Sequence, residues 1–119
     1  MPDLRPLLTT TDFEAAVRSS FAQPVLILKH SLTCGTSGMA VEEVQDLIDA
    51  GPPLEAFIVT IQTGRDVSQA IETRFRIRHE SPQALILRDG EVVWHGSHFR
   101  VSAAAIRKVL AGLAAAPAP

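Results

Sequence analysis

Among its 119 residues the sequence has only one cysteine, Cys34, so no internal disulfide can form and no disulfide framework supports the fold. A reducing cytoplasm is the expected setting for such a chain. Runs of Lys and Arg are missing and the net charge is −2, which excludes an electrostatic nucleic-acid binder. No apolar run reaches the ~18 residues a membrane-spanning helix needs. The opening "MPDLRPLLTTTDFEAAVRSS" lacks the continuous apolar centre of a secretory leader. Paired spacings such as C-x-x-C or H-x-x-x-H are also absent, so no metal site is expected. Neither an internal repeat nor a long linker is found. What remains is one soluble domain, expected to span residues 1–111, followed by an Ala/Pro-rich tail at 112–119 whose ending "AAAPAP" has nothing to pack against.

The apolar residues that are present fall into short periodic blocks. Phe13, Ala16, Val17 and Phe21 mark one face of a helix in "TDFEAAVRSSF", with Thr11 and Glu14 spaced as a capping box. "VLILKH" is a continuous apolar run with the length of a buried strand. Ala40, Val44, Leu47 and Ile48 then recur at helical spacing until "AGPP" ends the segment. "AFIVTI" reads as a second buried strand, and Val67, Ala70, Ile71 and Phe75 as one face of another helix. "ALIL" and "EVVWH" flank Asp89-Gly90, a two-residue hairpin signal. Ser102 is placed to cap a last helix whose core face is Ile106, Val109, Leu110 and Leu113. The order predicts an α/β domain with a four-stranded mixed sheet, βαβαββα, and an extra N-terminal helix. Parallel pairing through crossovers is expected in its first part and an antiparallel hairpin in its last.

Cys34 falls where the first buried strand gives way to a helix, in "LKHSLTCGTSGMA". In open α/β sheets ligands collect at that end, beyond the carboxyl ends of parallel strands. A free thiol with a pKa near 8.5 is only about 3% thiolate at pH 7, whereas a helix N-terminus favours the anion. A lone cysteine more often serves as a small buried hydrophobe. Here its neighbours Ser31, Thr33, Gly35, Thr36, Ser37 and Gly38 are small or polar, which points to a reactive site instead. Ser37 stands where a redox pair would have its second thiol. Its hydroxyl, one turn into the helix, suits donation to the sulfur, and Gly35 leaves room for a bulky disulfide.

Three segments, "KHSLTCGTS", "RHESPQALIL" and "VVWHGSHFRVS", occur in this order between about residues 25 and 109. Together they resemble the monothiol bacilliredoxin family, which has a thioredoxin-like fold. The resemblance implies a thiol-disulfide oxidoreductase that removes bacillithiol, a small anionic thiol, from protein mixed disulfides. Cys34 matches the family's active-site cysteine, Ser37 the serine closing that motif, and Pro82 a cis-proline opposite the active site. Ser81 is then expected to offer backbone hydrogen bonds to the incoming cysteinyl group. Gly35-Thr36 departs from the usual Pro-Ile, which bears on the loop and on the thiol's pKa. The implied partners are bacillithiolated client proteins and an external reducing thiol, bacillithiol itself or another. Bacillithiol acts as co-substrate and no resident cofactor is implied.

Thr33, His98, His79 and Lys29 complete the candidate substrate-binding set, with Thr36 and Gly35 beside Ser37 as thiolate-stabilising positions. Of the histidines His30, His79, His95 and His98, each is as well explained by a structural hydrogen bond as by pairing with a thiolate. Lys29, Arg65, Arg78 and Arg100 are candidates to meet the malyl carboxylates of bacillithiol, and Trp94 reads as a packing residue. Two other functions fit the same residues. "CGTS" differs by one residue from the CGFS motif of monothiol glutaredoxins, which carry [2Fe-2S] clusters. "WHGSH", however, replaces the double glycine with which those proteins bind glutathione. A redox-inactive interaction module is the other alternative.

Overall fold

The computed structural model describes residues 4–33 and 35–115; Cys34 lies outside the described residues. Its elements are β1 (Leu4–Pro6), α1 (Thr10–Ser19), β2 (Val25–His30), α2 (Gly35–Asp49), β3 (Glu55–Thr60), α3 (Arg65–Phe75), β4 (Gln83–Arg88), β5 (Glu91–Ser97) and α4 (Ala103–Ala115), with a 3₁₀ turn at His98–Arg100. The strands form one sheet in the order β1-β3-β2-β4-β5. β1, β3 and β2 run parallel, and β4 and β5 are antiparallel to their neighbours.

The α/β class and the helix and strand order of the core follow the sequence pattern, but the sheet has five strands where four were expected. The additional one is β1, three residues at the edge beside β3, with Pro6 at its end. A strand that short has no alternation to detect, and proline is tolerated only at such an edge. Arg5 anchors it by lying 4.9 Å over the Phe57 ring. The capping box of α1 also lies two residues earlier than expected. Thr9 Oγ1 accepts from Asp12 N at 3.0 Å and Asp12 Oδ2 accepts from Thr9 N at 3.2 Å. Glu14, the acid expected in the box, instead pairs with Arg74 of α3, both of its oxygens accepting from Nη1 at 2.9 and 3.0 Å. The same S/T-x-x-D/E spacing occurs twice in "TTTDFE", and the first of the two is the cap.

Strands β2 and β4 lie inside the sheet and are covered on both faces, which is why they read as continuous apolar runs. Leu26, Leu28, Ala84 and Ile86 pack under α2 and α4, with Val44, Leu47, Ile48 and Ile106. Val25, Ile27, Leu85 and Leu87 pack under α1 and α3, with Phe13, Val17, Val67 and Ile71. Each buried Val, Leu, Ile or Phe side chain among these contributes about 1.5–3 kcal/mol by leaving water. Ser102 Oγ accepts from Ala105 N at 3.1 Å at the start of α4. That helix continues to Ala115, with Leu113 packed against the first of these clusters.

The β4–β5 hairpin turns through Asp89 (φ 55°) and Gly90 (φ 79°), the left-handed pair of a type I′ turn. Phe21, expected on the core face of the first helix, instead lies past its end and exposed, because α1 stops at Ser19. It sits over this turn, so closely that a β-carbon at Gly90 would come within 2.8 Å of its ring. The strand directions have one consequence for function. The carboxyl ends of β2 and β3, the start of β4 and the end of β5 all lie at one end of the sheet.

Candidate active site

Between β2 and α2 the chain must leave a buried strand and enter a 15-residue helix within a few residues, with Cys34 immediately ahead of that helix in sequence. Three polar side chains shape this passage. Ser37 is buried in the first turns of α2, and its Oγ accepts from the backbone N–H of Ser31 at 3.0 Å. Gln62, just beyond β3, holds the loop from the other side. Its Oε1 accepts from Leu32 N at 3.1 Å and its Nε2 donates to Ser31 Oγ at 2.8 Å. Ser31 Oγ accepts in addition from Thr33 N at 3.3 Å. With both lone pairs engaged, its hydroxyl is the donor in the 3.0 Å contact with Thr33 Oγ1.

The predicted residues around this loop separate into groups. Thr33 and Gly35 are exposed, and nothing lies within 4 Å of where a β-carbon of Gly35 would stand. Thr36 is half-buried in the first turn of α2. Pro82 is buried, the Ser81–Pro82 peptide bond is cis, and Ser81 is half-buried beside it. The carbonyl of Pro82 accepts from His98 N at 2.9 Å, which ties the segment after β5 to the start of β4. His98 has a φ of 55° and is exposed, near the Glu80 carboxylate. A hydrogen bond from Ser97 holds that carboxylate below its usual range, assisted by the nearby histidine.

His30 is half-buried and its Nε2 contacts Thr60 Oγ1 at 2.8 Å across the β2–β3 pair, a bond between strands. His79 contacts Ser68 Oγ through Nδ1 at 3.3 Å, and its backbone N–H donates to Glu72 Oε2 at 2.6 Å. Burial pushes both imidazoles below their ordinary pKa, with Lys29 adding to the effect at His79, so near neutrality both favour the uncharged form. His95 is exposed on β5, opposite Leu85. Trp94 is a packing residue against the α4 side of the core.

Lys29 is the least expected member. It is 0% exposed, on the α3 face of the sheet, and its Nζ has no hydrogen-bond partner among the described residues. Burial pushes its pKa down from 10.5 to about 8, partly offset by Glu72. Beside it on β4 is Gln83, 2% exposed, whose Nε2 donates to Arg78 O at 2.9 Å while Oε1 has no partner among the described residues. Sequence reasoning missed Gln62, Glu72 and Gln83. Gln83 ends the "HESPQ" run without a role read for it, and Gln62 and Glu72 are each one polar residue among many. Strand pairing together with the seating of α3 brings the three to one end of the sheet. Among the described residues no group of three His, Cys, Asp or Glu could hold a metal ion, and no helix is long and apolar enough to cross a membrane.

Known proteins share this fold. The sequence matches the family described as monothiol bacilliredoxin BrxC over residues 5–106. Among solved structures, a protein assigned as an oxidoreductase with a thioredoxin fold superposes with a TM-score of 0.81 at 27% identity, covering 88% of this chain and 91% of that one. Thioredoxin of Fasciola hepatica superposes with a TM-score of 0.76 at 16% identity, covering 92% and 98% of the two chains. Thioredoxin O2 of Arabidopsis thaliana gives 0.72 at 16% identity, covering 92% and 93%. The last two show the fold alone, which is thioredoxin-like. With its lone thiol ahead of α2 and this fold around it, the chain belongs to the monothiol bacilliredoxin family, whose general activity is thiol redox chemistry.

Proposed function

We propose that the chain removes bacillithiol from protein mixed disulfides by one-cysteine exchange at Cys34, in a reducing cytoplasm. The observation that carries this reading is the loop clamp. Ser37 from within α2 and Gln62 from beyond β3 together hold residues 31–33, the approach to the chain's lone cysteine. The family match supports the choice of substrate.

In the first step the Cys34 thiolate attacks the bacillithiol sulfur of the client's disulfide. The client–bacillithiol S–S bond breaks, a Cys34–bacillithiol S–S bond forms, and the client leaves as a thiolate that takes up a proton. In the second step an external thiolate attacks the same bacillithiol sulfur, forming a new disulfide and returning Cys34 as thiolate. No net oxidant is needed, because each step exchanges one disulfide for another. The start of the 15-residue α2 favours the thiolate through its backbone N–H groups and dipole. Ser37 accepts from Ser31 N, so its own proton is the one to direct at the sulfur, with Thr36 beside it; Gly35 leaves the approach open. Thr33, Ser81, Pro82 and His98 form the rim that meets the client's cysteinyl group. With serine at position 37 no internal disulfide can release the cap, so regeneration waits for the second thiol.

The test is a client protein capped with bacillithiol and incubated with this chain. Wild type should release the client thiol and carry the cap on Cys34 by mass spectrometry. Equal release by Cys34→Ala, or no cap on wild type, would refute the reading. Visible cluster absorbance after anaerobic reconstitution with iron and sulfide would favour a cluster carrier instead.

A further inference from the structure

Beside the loop clamp is a cleft of about 380 Å³ that the exchange steps do not use, lined by Gln62, Arg65, Ser68, Gln69, Glu72 and His79. Four of these, Arg65, Ser68, Gln69 and Glu72, lie at i, i+3, i+4 and i+7 on α3, so one polar face of that helix forms a wall. Gln62 is shared with the loop clamp, which makes the cleft continuous with the approach to Cys34. Two observations give it a sign. Arg65, exposed in the first turn of the 11-residue α3, has no ion-pair partner among the described residues, and the N-cap Gly64 supplies no side-chain cap. Behind the wall, Lys29 is wholly buried with its Nζ unpartnered, near enough to Glu72 and His79 to shift or be shifted by their charges. A buried ammonium with no acceptor is costly, and a carboxylate placed nearby relieves it. Glu72, the one acidic group lining the cleft, accepts from the His79 N–H and offsets only part of the cost of burying Lys29.

Resting on the exchange reading above, we propose that this cleft binds the carboxylate-bearing end of the small thiol. Arg65 and Gln69 contact the carboxylates, and Lys29 supplies the buried positive charge behind them. Gln62 then serves two ends, holding the reactive loop with one face and bordering the ligand with the other. The cap would lie with its sulfur toward Cys34 and its acidic end along α3, which makes the site selective for acidic thiols over neutral ones.

The probe is S-methyl bacillithiol, a thioether that cannot exchange disulfides, compared with the same molecule lacking its malyl group. Binding is followed by amide chemical shifts of the ¹⁵N-labelled full chain. Wild type should bind the malyl probe at least about ten-fold tighter than the truncated one, with shifts at Arg65, Ser68, Gln69 and His79. In Arg65→Gln, an exposed substitution that leaves the fold alone, the preference should fall below about three-fold, and in Lys29→Met it should fall as well. Equal binding of the two probes, or a preference that survives in Arg65→Gln, overturns the proposal. Because the probe cannot react, the two readings fail separately. Malyl-selective binding without release of client thiols refutes the exchange alone, and release without malyl preference refutes the cleft alone.

Discussion

Replacing Lys29 by methionine should stabilise this protein, in a pH-dependent way that can be worked out from its burial. The side chain is 0% exposed and its Nζ unpartnered, and burial lowers its pKa from 10.5 to about 8. At ~1.36 kcal/mol per pH unit, that gap corresponds to about 3 kcal/mol by which the buried charge disfavours folding. The folded-state pKa lies below the unfolded value, so between pH 8 and 10.5 the unfolded chain binds more protons and stability rises with pH. Below pH 8 the ammonium is charged in both states and the whole cost applies. Methionine fills similar volume without a charge, and such replacements of buried ionic groups are often stabilising. Urea unfolding of wild type and Lys29→Met at intervals from pH 6.5 to 10.5 tests this. The variant should be more stable at pH 7 by up to about 3 kcal/mol, on the order of 10 °C in Tm for a domain of this size, and the difference should close as pH rises. Subtracting the two curves removes groups common to both proteins. Parallel curves across that window, or a less stable variant at pH 7, would refute the assignment of Lys29 as a buried, unsatisfied cation.

Four further outcomes follow from the geometry. Lys29→Met should raise the pKa of His79, because a positive neighbour that holds it down is removed; histidine ring NMR titration reads this directly, and no change would place the two groups farther apart. Gln62→Ala removes both of its bonds to the loop and should cost about 1–2 kcal/mol, with faster hydrogen exchange at the Leu32 amide as the local signature. Ser37→Ala leaves the Ser31 N–H without its acceptor and should cost about 1–3 kcal/mol in denaturant unfolding, whereas Ser37→Thr keeps the oxygen and should cost less. Gly90→Ala forces a β-carbon into the left-handed region and against the Phe21 ring; calorimetry should show a loss of at least about 1–2 kcal/mol, and Phe21→Leu in the same chain should recover part of it.

The periodicity of apolar residues was enough to set out the core elements. "VLILKH" and "ALIL" are apolar throughout because both strands are covered by helices on two faces, and Asp89-Gly90 announces its own turn. Strand β1 was not legible, since three residues with a proline at the end show no period. The α1 cap was ambiguous because two spacings fit and only backbone geometry distinguishes Thr9 from Thr11. Ser37 was visible from its place in the motif, although its role toward Ser31 N was not.

What the sequence by itself determined is local. A strand-to-helix passage carries a lone cysteine with a serine three residues on, and no second thiol exists to resolve a disulfide. Tertiary structure alone decided what surrounds that passage. Lys29 reads as one more charge at the end of an apolar run, yet the sheet turns it inward beneath α3, beside Gln83. Gln62 and Glu72 reach the same end of the molecule from β3 and α3, from positions with no sequence signal of their own. Hydrophobic period records which side of an element faces the core, a property each segment carries alone. Which polar groups meet there depends on strand order and register, and these arise only when distant segments pair.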